Sequence, residues 1–155
     1  MENLSETLKQ QAVSLGLCKQ WTEAWGNCDQ QQLIDKFKAG LDFCLDRSWP
    51  TPNFIKDNFD RELLTENLIY VDEHLSLAAA PSGVYILNGE CSGTLHFRSW
   101  AAATVYVRHT SRVCIIAEDF AKVFVRVYDE AEVNVCDVGD AVCKVQDKRM
   151  KSPIT

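Results

Sequence analysis

The chain predicts an α+β protein: a helical N-terminal segment followed by a short parallel β-solenoid. Three observations carry the prediction. A five-residue pattern (small, variable, aliphatic, variable, aliphatic) recurs seven times between Ser82 and Val145. Its copies start 11, 10, 8, 10, 10 and 10 residues apart, and self-similarity at a fixed short period marks a repeat architecture. The aliphatic residues fall at alternate positions, the pattern of strands with one buried face.

The repeat units are 82–86, 93–97, 103–107, 111–115, 121–125, 131–135 and 141–145. A lone strand of about five residues spans only ~17 Å and cannot bury its apolar edge by itself. Hairpin turn pairs are missing between units apart from Asn88-Gly89, so the connectors suit corners between strands that stack in parallel. The central outward residue is Tyr85, Tyr106, Phe124 and Lys144 in alternate units, and His96, Cys114 and Asn134 in the others. Aromatics thus recur every second unit, which makes about 10 residues one strand unit and two units one coil. An antiparallel sandwich shares the same alternation and is the competing fold. In the solenoid, Val105, Val113, Ile115, Val123, Val125, Val133 and Val135 point inward and are buried.

The first half reads as helices. Leu4, Leu8, Ala12 and Leu15 share one helix face, with Gly16 as its end. Residues 19–25 present Trp21 and Trp25 four apart. Asn27 or Asp29 caps a third helix that runs to about Asp46, and Thr51-Pro52 starts a fourth ending near Phe59. A turn around Arg61–Glu66 leads to two opening strands, 68–71 and 75–77. The domains are therefore a helical head or cap over 1–67, a β-solenoid over 68–147 and a charged tail over 148–155. Trp21, Trp25 and Trp49 belong to the core of the head, and Gly89 and Gly93 serve turns. Open solenoid ends expose unpaired edges, which calls for a cap at one end and charge at the other.

Composition narrows the function classes. Hydrophobic content of 46% and charged content of 25% are ordinary for a globular chain. No apolar run is long enough to span a bilayer, and the polar, acidic start is unlike a secretory signal. Seven irregularly spaced cysteines without a Cys-x-x-Cys suggest reduced thiols in a cytoplasm. Residues 1–80 hold 13 acidic and 7 basic side chains, and residues 81–155 hold nine of each. No basic block appears, which argues against general nucleic-acid binding.

The candidate site is one face of the solenoid. Stacked coils place like positions above one another, here Tyr106 over Phe124, Thr104 over Lys122, and Arg108 over Arg126. With Tyr85, these residues make an aromatic–basic ladder able to stack planar rings and hold anions. The same ladder also suits sheet stabilisation or a protein–protein face. Catalytic constellations are weak. His96 and Cys114 are the one nucleophile–base pairing to name, without a third group or oxyanion hole. His74 and His109 lack ligand-spaced partners. Glu118, Asp119, Asp129, Glu130, Asp137 and Asp140 cluster in corners that suit solvated turns better than a calcium ring. No cofactor or metal is implied.

The stretches Leu15-Gly16-Leu17-Cys18, Trp21, Trp25-Gly26, Asp42-Phe43-Cys44 and Phe54-Ile55 through Phe59 resemble small uncharacterised proteins of gut Bacteroidales and their phages or mobile elements. Those proteins join such a head to valine-rich repeats like Ala121–Val125 with Tyr128-Asp129. The resemblance implies a small accessory protein, phage- or mobile-element-borne, with no activity or catalytic residue to carry over. The leading functional expectation is a non-enzymatic interaction or assembly module, with a homo-oligomer or protein partner hiding Tyr106 and Phe124. The runner-up binds or sequesters a small nucleotide-like anion.

Overall fold

The computed structural model describes residues 3–149. Of the tail expected over 148–155, all but Lys148 and Arg149 lies outside the described residues. The chain forms two compact units that divide between Leu64 and Thr65.

The first unit holds α1 (Leu4–Ser14), α2 (Lys19–Glu23), α3 (Gln30–Ala39), α4 (Leu41–Arg47) and α5 (Pro52–Asn58). Short helices are marginal alone, so caps and packing hold them. Asn3 accepts from Glu6 N–H, Thr51 from Phe54 N–H, and Asp29 with Gln32 forms a reciprocal capping box. Leu8, Ala12, Trp25 and Leu33 make the core, with Trp49 and Phe54 packed against it. The indole of Trp25 donates to buried Ser5 Oγ at 3.0 Å. The single helix expected up to Asp46 is two. Gly40 leaves helical geometry and serves as the end of α3 and the start of α4, a break that glycine's low helix propensity permits. The turn expected at Arg61–Glu66 is a sixth helix, α6.

The second unit is a parallel β-solenoid of roughly four coils. Strands β1 (Ile69–Val71), β3 (Gly83–Asn88), β5 (Ala102–Val107), β7 (Lys122–Val127) and β9 (Val142–Asp147) form one sheet. Strands β2 (His74–Leu77), β4 (Ser92–Phe97), β6 (Arg112–Ala117) and β8 (Glu132–Asp137) form the other. Every pairing is parallel, and from β3 onward partners are 20 residues apart, as in Val105↔Val125 and Ile115↔Val135. The antiparallel sandwich is thereby excluded.

The corners explain the ten-residue period. Backbone bonds close four-residue turns from Ala101 N–H to Arg98 O, Ser111 to Arg108, Ala121 to Glu118, Ala131 to Tyr128 and Ala141 to Val138. The second residue of each turn has positive φ: Ser99, His109, Asp119, Asp129 and Gly139. Asp tolerates that backbone because its short polar chain can bond locally. Here it bonds to the coil before it: Asp119 Oδ2 accepts from Ser99 N–H at 2.9 Å, and Asp129 Oδ2 from His109 N–H at 3.0 Å. Those two corner acids are thus inter-coil clasps rather than merely solvated turn residues.

Between the sheets, Leu95, Phe97, Val105, Val107, Val113, Ile115, Val123 and Val125 are buried in one core. Val133 and Val135 depart from expectation. Val133 is only half-buried and Val135 is 39% exposed, because β8 is the last strand of its sheet and no further described coil covers it. At that end two inward positions change character. Asp137 follows Phe97 and Ala117 in register, and Asp147 follows Val107 and Val127. Asp137 Oδ2 accepts from Cys143 N–H at 3.2 Å. Asp147 binds the Arg149 guanidinium at 2.7 and 2.9 Å, and Arg149 reaches Ala131 O at 3.4 Å. Inward charges of this kind oppose further strand stacking.

Candidate functional site

Besides Val135, Val138 and Val145 at the last coil, two surfaces of the solenoid carry exposed large apolar side chains: the outer face of the five-stranded sheet, and the corner that feeds it. On the face, the true register differs from the expected ladder. Tyr106 lies beside Arg126, Thr104 beside Phe124, and Phe124 beside Lys144. Tyr106 does not sit over Phe124, nor Thr104 over Lys122, nor Arg108 over Arg126. The reason is the run Ala101-Ala102-Ala103. Any of the three serves as the small residue that opens a unit, and the corner uses Ala101. Starting the unit at Ala103 shifts it by two residues against Ala121.

Tyr85 is not an outward residue. It pairs with Val105 and is fully buried, its ring edge-on to Phe97 at 5.5 Å and its hydroxyl donating to Pro81 O at 2.6 Å. Burial pushes that phenol up to about 12. The glycine at the unit's second place, not Ser82, is level with Ala103, so the alternation there is offset by one. Arg108 is also inside. It is 1% exposed at a corner, with Nη1 donating to Asn88 Oδ1 at 2.8 Å, so it cannot serve the outer face.

The remaining four candidates do share the face. Phe124 is 51% exposed. Lys122 and Arg126 flank it along β7, and Lys144 lies beside it on β9. The Arg126 guanidinium lies over the Tyr106 ring at 5.7 Å, and Tyr128 stacks on that ring at 6.3 Å. Lys122 Nζ donates to the backbone carbonyl of Asp140 at 3.0 Å.

The corner escaped the sequence reading. Trp100 and Phe120 occupy the same turn position one coil apart, and their rings stack at 4.4 Å and 12°. Trp100 is 77% exposed and Phe120 is 42% exposed. The signal that reveals them is two aromatics 20 residues apart, each one residue before the small residue of a corner. Beside them Glu118 Oε1 lies 3.2 Å from Arg98 Nε and 3.3 Å from His96 Nε2, while Asp119 accepts from Ser99 N–H.

The four-stranded sheet brings no catalytic set together. Cys114 pairs with Thr94 and Asn134, while His96 pairs with Ile116, so the named Cys–His neighbours are not ladder partners. His74 Nδ1 lies 3.0 Å from Ser92 Oγ on an exposed strand surface. All seven cysteines are free thiols. Burial and Asp137 push the Cys143 thiol up to about 11, away from thiolate chemistry. No helix among the described residues is long and apolar enough to cross a membrane.

His109 is the group whose titration the fold perturbs most usefully. Gly89 N–H donates to its Nδ1 at 2.9 Å, which requires the neutral ring. Burial, then the charge of Arg108, holds it down at about 4 against Asp129 and Asp72, which favour its charged form. The unfolded chain binds this proton near pH 6.5. Stability should therefore be complete above about pH 6.5 and fall as pH drops towards 4, by on the order of 1–2 kcal/mol after allowing for solvent at the half-buried ring. Urea midpoints at neutral and acid pH check this. His109→Asn, which keeps an acceptor and tolerates the backbone, should flatten that part of the profile; an unchanged profile assigns the acid sensitivity elsewhere.

No family model, curated protein or solved structure matches the chain, so the functional reading rests on the geometry of these two surfaces.

Proposed function

We propose that the protein is a non-enzymatic interaction module that self-associates through the aromatic corner. The observation that supports this is the stacked pair Trp100–Phe120. A Trp ring left 77% exposed adds nothing to the core, yet its stacking on Phe120 fixes it in one orientation. Rigid, exposed aromatics are the usual anchors of protein interfaces, because they bury much area for little entropy. The local charges tolerate a second copy: Arg98 is paired with Glu118, and the Asp119 carboxylate is engaged by Ser99 N–H, which limits repulsion between like surfaces. The sheet face is a poorer self-interface, since two copies would oppose Lys122, Arg126 and Lys144 against themselves. The resemblance to small uncharacterised proteins of gut Bacteroidales and their phages or mobile elements is in keeping with an accessory role of this kind.

Light scattering tests the reading. The native protein should show a mass above the single-chain 17.5 kDa that rises with concentration. Trp100→Ala combined with Phe120→Ala should return it to one chain with unchanged circular dichroism. A native mass of one chain at every accessible concentration would remove the proposal.

A further inference from the structure

The sheet face around Phe124 points to a second partner, of different chemistry from the corner's. On the outward side of β3, Ile86 and Asn88 are buried, so the open part of this face is Val84 with the outward residues of β5, β7 and β9: Thr104 and Tyr106, Lys122, Phe124 and Arg126, and Lys144 with their smaller neighbours. They include three cations and no acid. Carboxylates flank the face in sequence, in the corners at Asp119, Asp129, Glu130 and Asp140 and at the end of β9 at Asp147. A half-exposed aromatic ring thus stands among Lys122, Arg126 and Lys144. Lys122 and Arg126 are four residues apart, ~13 Å along the strand, and Lys144 is one strand spacing, ~4.8 Å, to the side.

We infer that this face docks an acidic segment of a partner protein, with an apolar side chain of that segment seated on Phe124. Charge complementarity carries the choice of partner. Like charges bar a second copy. A small nucleotide-like anion is served badly, because tight small-ligand sites are concave and this is a flat strand surface. Two of the arms once expected for such an anion, Tyr85 and Arg108, are buried. Cations spread over ~13 Å match carboxylates distributed along a chain better than one phosphate. The inference stands apart from self-association, since it uses another surface.

The test uses the full-length protein and a random copolymer of glutamate and tyrosine as probe, followed by calorimetry. Polyglutamate, ATP and duplex DNA are run beside it. The copolymer should bind, more tightly than polyglutamate, with an affinity that falls as salt rises. Phe124→Ala should weaken it about tenfold and remove the advantage of tyrosine in the probe. Lys144→Glu should weaken it further at low salt, without loss of folding since the position is exposed. Trp100→Ala should leave probe binding unchanged, which separates this surface from the corner. Absence of copolymer binding at low salt, or binding indifferent to Phe124→Ala and Lys144→Glu, overturns the inference. Tighter binding of ATP or DNA through the same two side chains also overturns it, in favour of a nucleotide or nucleic-acid partner.

Discussion

Replacing Gly93 with alanine should destabilise the solenoid unit by on the order of 3 kcal/mol or more. Gly93 lies inside β4, not in the turn that its sequence context suggests. Its backbone has φ +106, which L-residues with a side chain rarely adopt. A Cβ there would sit 1.9 Å from the carbonyl oxygen of Leu75 and 2.8 Å from Leu75 N and C. Those are backbone atoms of the paired strand β2, so no side-chain rotation relieves the clash. The first coil must part from the second. For a unit of this size, the loss should lower Tm by roughly 10–25 °C. Calorimetry of Gly93→Ala checks it. A shift of only a degree or two would mean that the first coil pairs less closely with β4 than the register implies.

Phe97→Ala should cost a comparable amount, ~3–5 kcal/mol. The Phe97 ring is fully buried and meets Tyr85 edge-on at 5.5 Å. Truncation opens a cavity between two sheets whose backbones are fixed by parallel ladders on both sides, so collapse around the void is limited. The Tyr85 ring would lose its aromatic neighbour while its hydroxyl remained tied to Pro81 O. Phe97→Leu should recover about half of the loss by refilling volume. Denaturant unfolding separates the two variants. Equal midpoints for Phe97→Ala and the native protein would contradict the packing.

The parallel fold and its two-unit coil were legible because Val123, Val125, Ile115 and their neighbours repeat an inward alternation at a ten-residue period, with aromatics in alternate units and few hairpin turn pairs between them. The register was not. It depends on which small residue turns the corner, and the runs Ala101-Ala102-Ala103 and Pro81-Ser82-Gly83 offer several. A displacement of one residue turns Tyr85 from solvent to core, and one of two residues moves Phe124 from beside Tyr106 to beside Thr104. The buried Arg108 was illegible for another reason. Its place at a corner reads as solvent, and only the three-dimensional position of Asn88 supplies the partner that draws it in. Phe124, Lys122 and Arg126 kept their place on the face because their spacing within β7 is independent of the neighbouring coil. Trp100 and Phe120 lie in corners, outside the five-residue pattern, so that pattern does not single them out.

The strict 20-residue register has a consequence for how such a chain can change in length. Trp100 and Phe120, Ala101 and Ala121, Val105 and Val125 are interchangeable in backbone setting. A gain or loss of 20 residues therefore joins equivalent positions and leaves every surviving side chain facing the way it did, while a gain or loss of one reverses a whole strand. Reach along the axis comes in steps of about 4.8 Å, one per coil, and the two aspartates of the last coil move with the end wherever it falls. Duplication of a coil whose corner carries Trp100 or Phe120 would set a third ring beside them, so the breadth of the aromatic surface is counted in coils and not in point substitutions.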